Sequence, residues 1–335
     1  MDDLNIRKTG RSGRITFTRP KALNALSHPM ALAIHKALDD WRHDPDVALV
    51  IIDAEGDRAF CAGGDIAAVY HAGRAGDHQL GRAFFRDEYR MNAAIADYPK
   101  PIAAFMQGFV MGGGVGVGGH ASHRIVGDTT RIAMPESGIG LIPDVGGSWL
   151  LAHAPGRIGE YLALTGARMG PGDALHAGFA DTYIPEAEWP VLITRLEESG
   201  DHSLVAGRAA PNASLESRDL SAFGGRHLSD IIDTLRQAEY AETLDILSRN
   251  SPLSMAASLV LVRAARGDRR MQEALSREFR FTARATESSD FLEGVRAQII
   301  DKDRNPHWRA DASAESVQAM LAPLEQDELT WEIAQ

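Results

Sequence analysis

The chain has 335 residues, with 35 Lys plus Arg against 46 Asp plus Glu, for a formal net charge of −11 at pH 7. Hydrophobic residues make up 44% and charged residues 24%, which excludes a disordered or collagen-like chain and, at this length, predicts one large domain or two. The acidic balance argues against a nucleic-acid partner, which would show a basic footprint, and the lone Cys61 excludes an intrachain disulfide or a Cys-based zinc site.

Met1-Asp2-Asp3-Leu4 starts acidic, without the basic and apolar regions of a secretory signal. With a single cysteine, this predicts a reducing, cytoplasmic location. Residues 101–119 form the longest uncharged run, but Gln107 and seven glycines lower its apolar area. A buried strand entering a glycine-rich turn is the expectation there, and no membrane span.

Polar–apolar alternation at 14–18 and the apolar run 47–52 predict strands. Between them, Ile34, Leu38 and Trp41 fall at i, i+4 and i+7, predicting a helix over 29–43 with Ser27 as a cap and Pro45 past its end. A strand-to-helix passage at 59–70, a helix at 79–97, a strand at 101–105, a further helix, a strand at 124–126 and a loop over 134–147 follow. This alternation predicts an α/β core. Helices at 156–165 and 171–177 precede a short strand at 180–184, and strand signals fade beyond 190. Ser251-Pro252 opens a helix with Pro at its first position, and Met271, Leu275 and Phe279 make a buried helical stripe. Asp290 with Glu293 three residues on predicts a capping box. The expected organisation is an α/β core over 1–200 with a helical C-terminal region, 201–335, packed on it.

The chemistry starts with two glycine turns. Cys61-Ala-Gly-Gly-Asp65 and Gly112-Gly-Gly114 each follow a strand and precede a helix. Such turns leave main-chain N–H groups unspent, and two of them can make an oxyanion hole. The alternative is that these glycines only permit tight packing. Gly114-Val-Gly-Val-Gly-Gly119 also matches the G-x-G-x-x-G dinucleotide fingerprint. The expected acidic residue is out of place, because Glu136 lies 17 residues on in a loop instead of at a strand end.

Glu136 and Asp144 each stand beside a proline in otherwise apolar company. They read either as desolvated acids suited to proton transfer or nucleophilic attack, or as surface carboxylates, with Asp144 a candidate helix cap. Glu88 falls on the stripe of Phe84, Met91 and Ile95, where it requires a cavity or a partner such as Arg82 or Arg86. His120 and His123 lack the further ligands of a metal site and are expected to be structural, and no metal is predicted. Neither a nucleophile elbow nor a phosphate-binding P-loop is present, and Cys61 is expected to fill space.

Three segments together resemble the crotonase (enoyl-CoA hydratase/isomerase) superfamily: Arg19-Pro-Lys-Ala-Leu-Asn-Ala-Leu26, Ala59-Phe-Cys-Ala-Gly-Gly-Asp-Ile66 and Gly108-Phe-Val-Met-Gly-Gly-Gly-Val-Gly116. The resemblance implies a spiral of repeated ββα units binding an acyl-coenzyme A, with the Gly64 and Gly113 amides as oxyanion hole. Hydratases of this family carry a glutamate at the position of Gly116, so a two-glutamate hydratase mechanism is not implied. Met134-Pro-Glu-Ser-Gly-Ile-Gly-Leu-Ile-Pro-Asp-Val-Gly-Gly147, Phe84-Phe-Arg-Asp-Glu-Tyr89 and the C-terminal segment from Asp290 to Trp308 resemble the 3-hydroxyisobutyryl-CoA hydrolase branch. That branch implies thioester hydrolysis, as in valine degradation, with Glu136 and Asp144 catalytic and Glu88, Gly113, Glu136 and Asp144 around the substrate. It implies no separate cofactor, since coenzyme A arrives with the substrate; Arg19 and Lys21 are candidates for its phosphates. The alternative is an enoyl-CoA isomerase with Glu136 as single acid/base. Crotonases are often trimers or hexamers, which leaves room for a homo-oligomer.

Overall fold

A computed structural model describes residues 3–309 and 311–331. The chain folds as two compact units, each drawn from three segments: Met1–Asp65, Asp87–Ala133 and Arg168–Ser217 in the first, Ile66–Arg86, Met134–Ala167 and Arg218–Gln335 in the second.

The first unit holds nine strands among the described residues: β1 Leu4–Thr9, β2 Ser12–Phe17, β3 Leu49–Ala54, β4 Ala59–Cys61, β5 Ile102–Met106, β6 Phe109–Met111, β7 His123–Val126, β8 Arg131–Ala133 and β9 Thr182–Tyr183. They form a six-stranded sheet in the order β1-β2-β3-β5-β7-β9 and a three-stranded sheet in the order β4-β6-β8. Only β1 and β2 pair antiparallel; their two-residue turn contains Gly10 at φ 56°, which suits a tight hairpin. Every other pairing is parallel. The pairs β3/β4, β5/β6 and β7/β8 each lay their first strand in the large sheet and their second in the small one. Three such steps make the expected spiral of ββα units.

Parallel strands covered on both faces read as unbroken apolar runs. Accordingly β5 is buried throughout and β3 at every residue but its last. Leu49, Ile51, Phe105 and Ile125 pack against Trp189, Leu192, Ile193 and Leu196 of the helix Trp189–Ser199. The helix His28–Arg42 turns Ile34, Leu38 and Trp41 inward, as its spacing predicts. Ser27 sits at its N-cap in extended conformation but makes no side-chain cap bond.

In the second unit, the helices Gly147–His153, Ile158–Thr165 and Pro252–Ala265 pack together. A Cβ on Gly159 would lie 2.0 Å from the Leu151 carbonyl oxygen, so a glycine is what lets the first two approach. Ser251 caps the third, accepting from Ser254 N–H at 3.3 Å. The capping box predicted at Asp290 does not form. Asp290 is the N-cap of the helix Phe291–Val295 but makes no cap bond; its carboxylate accepts from Ser251 Oγ and Arg309 N–H. Glu293 turns to Arg296 and the His307 N–H instead. Long-range donors outcompete the local motif at Asp290, and the neighbouring Arg296 together with the His307 N–H does so at Glu293. From Leu228 onward, the described regular elements are all helical. Among the described residues no helix is long and apolar enough to cross a membrane.

Candidate active site

Gly64 and Gly113 come together in the first unit. Beyond β4 the chain turns through Gly63 at φ 118°, a conformation other residues rarely adopt. Leu26 N–H donates to Gly63 O at 2.9 Å, and Asp65 N–H donates to Leu26 O at 2.8 Å, forming a parallel bridge between Leu26 and Gly64. These bonds use the residues on either side of Gly64, so the Gly64 N–H is not spent on Leu26. Beyond β6 the second turn passes through Gly112 at φ 47°, ψ −117° into the helix Gly113–Gly118. Val115 and Gly116 N–H both reach Gly112 O, which leaves the Gly113 N–H in the first turn without an acceptor inside its own helix.

The space beside Gly113 is tightly defined. A Cβ there would lie 2.7 Å from Glu88 Oε1, 3.4 Å from Gly64 N and 3.5 Å from Leu26 Cδ2. Glu88, on the helix Gln79–Ala96, is 2% exposed. The structure thus brings Gly64, Gly113 and Glu88 around one point. The neighbouring glycines have another role: a Cβ on Gly114 would lie 2.0 Å from Cys61 O, and one on Gly118 2.6 Å from Met106 Sδ. The packing reading of the glycine run therefore holds at Gly114 and Gly118, whereas Gly113 faces Glu88 and Gly64 N. The dinucleotide fingerprint fails, because most of its glycines lie inside a helix, not in a strand-to-helix turn.

The loop carrying these groups is locked by Asn24, which is fully buried. Its Nδ2 donates to Glu55 O and Ala59 O, and its Oδ1 accepts from Arg19 N–H. The Arg19 guanidinium is engaged by Asp65, Asp3 and Ala25 O, so it braces this loop. Lys21, the other candidate for a phosphate, is exposed on the turn Pro20–Ala22. The Cys61 thiol is buried, and burial, reinforced by the charge of Glu88, pushes its pKa up to about 12. A thiol held protonated is a poor nucleophile.

Glu136 and Asp144 belong to the second unit. Both are buried, 5% and 4% exposed, which excludes the reading as surface carboxylates. Glu136 opens the 3-10 turn Glu136–Ile139. That turn is tied down by Ser137 Oγ donating to Ala163 O and by Ser251 N–H donating to Ser137 O. Gly140 and Gly294 let it approach the chain around Asp290 closely: added Cβ atoms would lie 2.4 Å and 2.2 Å from neighbouring backbone. Asp144 precedes Val145 at φ 55° and Gly146 at φ 79°, two successive left-handed residues. The helix N-cap falls on Gly146 and not on Asp144.

One acidic residue escaped the sequence reading. Glu278, on the helix Met271–Thr282, is fully buried. It accepts from Gly146 N–H at 2.8 Å, from Ser148 N–H at 3.0 Å and from Ser148 Oγ. Burial raises its pKa to about 7 and the charge of Asp144 adds to that, while the bonds from Ser148 and Gly146 oppose it. The signal was present: Glu278 stands at i+7 from Met271 and i+3 from Leu275, on the apolar stripe itself.

Of the arginines considered as partners for Glu88, Arg82 donates to Glu287 and Ala283 O, and Arg86 lies 5.4 Å above the Phe279 ring. His123 meets His202 at 3.2 Å, and burial, with the second imidazole, lowers its pKa. Among the described residues no group of three or more His, Cys, Asp or Glu is placed to hold a metal ion.

Strand pairs laid alternately into two sheets, with glycine turns presenting main-chain N–H groups, define a crotonase-type fold. A family model described as enoyl-CoA hydratase/isomerase matches residues 12–324, and the chain belongs to that family. The mitochondrial 3-hydroxyisobutyryl-CoA hydrolase of Xenopus tropicalis is 39% identical over 323 residues, covering 91% of this chain and 83% of its own. Its counterpart from Homo sapiens is 35% identical over 329 residues, covering 92% and 84%. A solved structure named as an enoyl-CoA hydratase from Rhodobacter sphaeroides 2.4.1 is 54% identical, with a TM-score of 0.95 over 98% of this chain and 100% of its own. One named as a carnitinyl-CoA dehydratase from Mycobacterium thermoresistibile is 38% identical, with a TM-score of 0.93 over 99% of each chain.

Proposed function

We propose that this enzyme hydrolyses a short 3-hydroxyacyl-CoA thioester, 3-hydroxyisobutyryl-CoA foremost, to the free 3-hydroxy acid and coenzyme A, as in valine degradation. The observation that carries the reading is the approach of the Gly64 N–H to Gly113, both in turns that leave main-chain donors unspent, beside a buried Glu88. Two donors aimed at one acyl oxygen stabilise the oxyanion of a tetrahedral intermediate. The names of the curated relatives support hydrolysis as the outcome.

Glu136 either attacks the carbonyl carbon, expelling the coenzyme A thiolate and leaving a mixed anhydride that water cleaves, or acts as base for water attacking that carbon. Asp144 engages the 3-hydroxyl or orients the water, and Glu88 borders the acyl group. Coenzyme A enters as part of the substrate, and the reading needs no further cofactor or metal. Gly116 is a buried helical glycine, so that position supplies no second carboxylate for hydration, whatever the solved relatives are named.

The second reading is an isomerase with Glu136 as sole acid/base, supported by the family description, enoyl-CoA hydratase/isomerase. Thiol release from 3-hydroxyisobutyryl-CoA supports the hydrolase and double-bond migration without it the isomerase; Glu136→Gln tests the residue itself and should abolish thiol release while coenzyme A still binds. Release near the wild-type rate would remove Glu136 from the mechanism. A cytoplasmic location and self-association complete the proposal, the first supported by the single cysteine and the second by resemblance to crotonases. Cell fractionation and a measured mass test them.

A further inference from the structure

Glu278 has no role in the mechanism above, yet it is a fully buried acid on an otherwise apolar stripe. The segment it holds explains it. After Asp144 the chain passes through Val145 and Gly146, both at positive φ, and closes with Gly147 N–H donating to Asp144 O at 2.6 Å. The helix Gly147–His153 starts at once, and its first-turn N–H groups need acceptors. A serine or asparagine cap would supply one locally, but position 146 sits at φ 79°, where a side chain is strained. The acceptor must come from elsewhere, and it comes from Glu278, 132 residues further along the chain. One carboxylate spans Gly146 N–H with one oxygen and Ser148 N–H and Oγ with the other. It thereby fixes the middle and the far end of the turn that Asp144 opens.

We infer that Glu278 is a positioning residue: its carboxylate sets the turn from Asp144 to Ser148 so that Asp144 meets the 3-hydroxyl of the acyl group, making Glu278 a determinant of specificity for 3-hydroxyacyl substrates. The inference rests on the proposed function and deepens it. Asp144 in turn raises the pKa of Glu278, so the two acids are close enough to sense each other.

The test is the ratio of kcat/KM for 3-hydroxyisobutyryl-CoA to that for isobutyryl-CoA, which lacks the hydroxyl, measured by thiol release in the full chain. Glu278→Gln keeps the size of the side chain but replaces one acceptor oxygen with a donor that faces other donors. It should lower the ratio by about tenfold or more, the scale of one lost charge-assisted hydrogen bond. Asp144→Ala should lower it at least as far. Ser148→Ala removes a single donor and should lower it by about threefold; it also serves if Glu278→Gln does not fold. If Asp144→Ala collapses the ratio while Glu278→Gln and Ser148→Ala leave it at the wild-type value, the inference is overturned and the proposed function stands. Equal losses on both substrates would overturn it as well, since Glu278 would then support only the fold. Failure of the wild-type protein to release thiol from either substrate would instead overturn the function.

Discussion

Gly113→Ala tests the proposed oxyanion hole at a position where fold and chemistry separate. Position 113 lies outside the left-handed region and opens a helix, so alanine is compatible with the backbone and gains up to about 1 kcal/mol of helix preference over glycine. The new methyl would sit 2.7 Å from Glu88 Oε1, and the buried glutamate must withdraw by some tenths of an ångström, offsetting that gain. The melting temperature should therefore change by only a few degrees. Catalysis should not be spared. The methyl lies 3.4 Å from Gly64 N, whereas a thioester oxygen must come within about 2.7–3.1 Å of the same nitrogen. A methyl beside that nitrogen crowds the approach of the oxygen and weakens its bond to the donor. Losing one donor typically costs about 3–4 kcal/mol, a fall of about 10² to 10³ in kcat. Steady-state thiol release and a thermal melt on the same preparation measure both quantities. A folded variant within about threefold of the wild-type rate would refute the reasoning. Gly114→Ala is the contrast: its methyl would meet the Cys61 carbonyl at 2.0 Å, and stability should be lost before activity can be assigned.

The Cys61 thiol, held near pKa 12 by burial, has a thiolate fraction of about 10⁻⁴ at pH 8. It should react with a disulfide reagent only on unfolding; rapid labelling of the native protein would contradict this environment. Glu278 predicts a pH dependence of stability. Its folded pKa of about 7 stands above the ordinary glutamate value of 4.5, so its stabilising contribution is complete below 4.5 and is lost as pH rises through 7. The wild type should lose about 3 kcal/mol relative to Glu278→Gln across that window in urea melts. A difference independent of pH would refute the burial argument.

Strands buried on both faces announced themselves: 47–52 and 101–105 are continuous apolar runs, and the structure shows β3 and β5 there. The short strands β6 and β8, of three residues each, carry too little pattern to be seen, since their register depends on strands distant in sequence. Helix starts set by local chemistry were legible, as at Ser251-Pro252. The box at Asp290 was not, because tertiary donors claimed Asp290 and Arg296 with the His307 N–H claimed Glu293. Glycine pattern and acid-beside-proline pattern pointed to Gly64, Gly113, Glu136 and Asp144, and the helical stripe to Glu88. The spacing from Met271 and Leu275 marks Glu278 as a core-facing acid, but not the groups it serves. Only the fold reveals the orphan N–H groups at Gly146 and Ser148 that it satisfies.

The most direct measurement presents the purified protein with 3-hydroxyisobutyryl-CoA, 3-hydroxypropionyl-CoA and crotonyl-CoA, following free thiol and, by NMR, the acyl product. Stoichiometric coenzyme A and free 3-hydroxy acid are expected from the first two, with neither hydration nor thiol release from the third. Conversion of crotonyl-CoA to its hydrated thioester, or double-bond migration in an enoyl-CoA, with no thiol released from the hydroxy substrates would contradict this expectation.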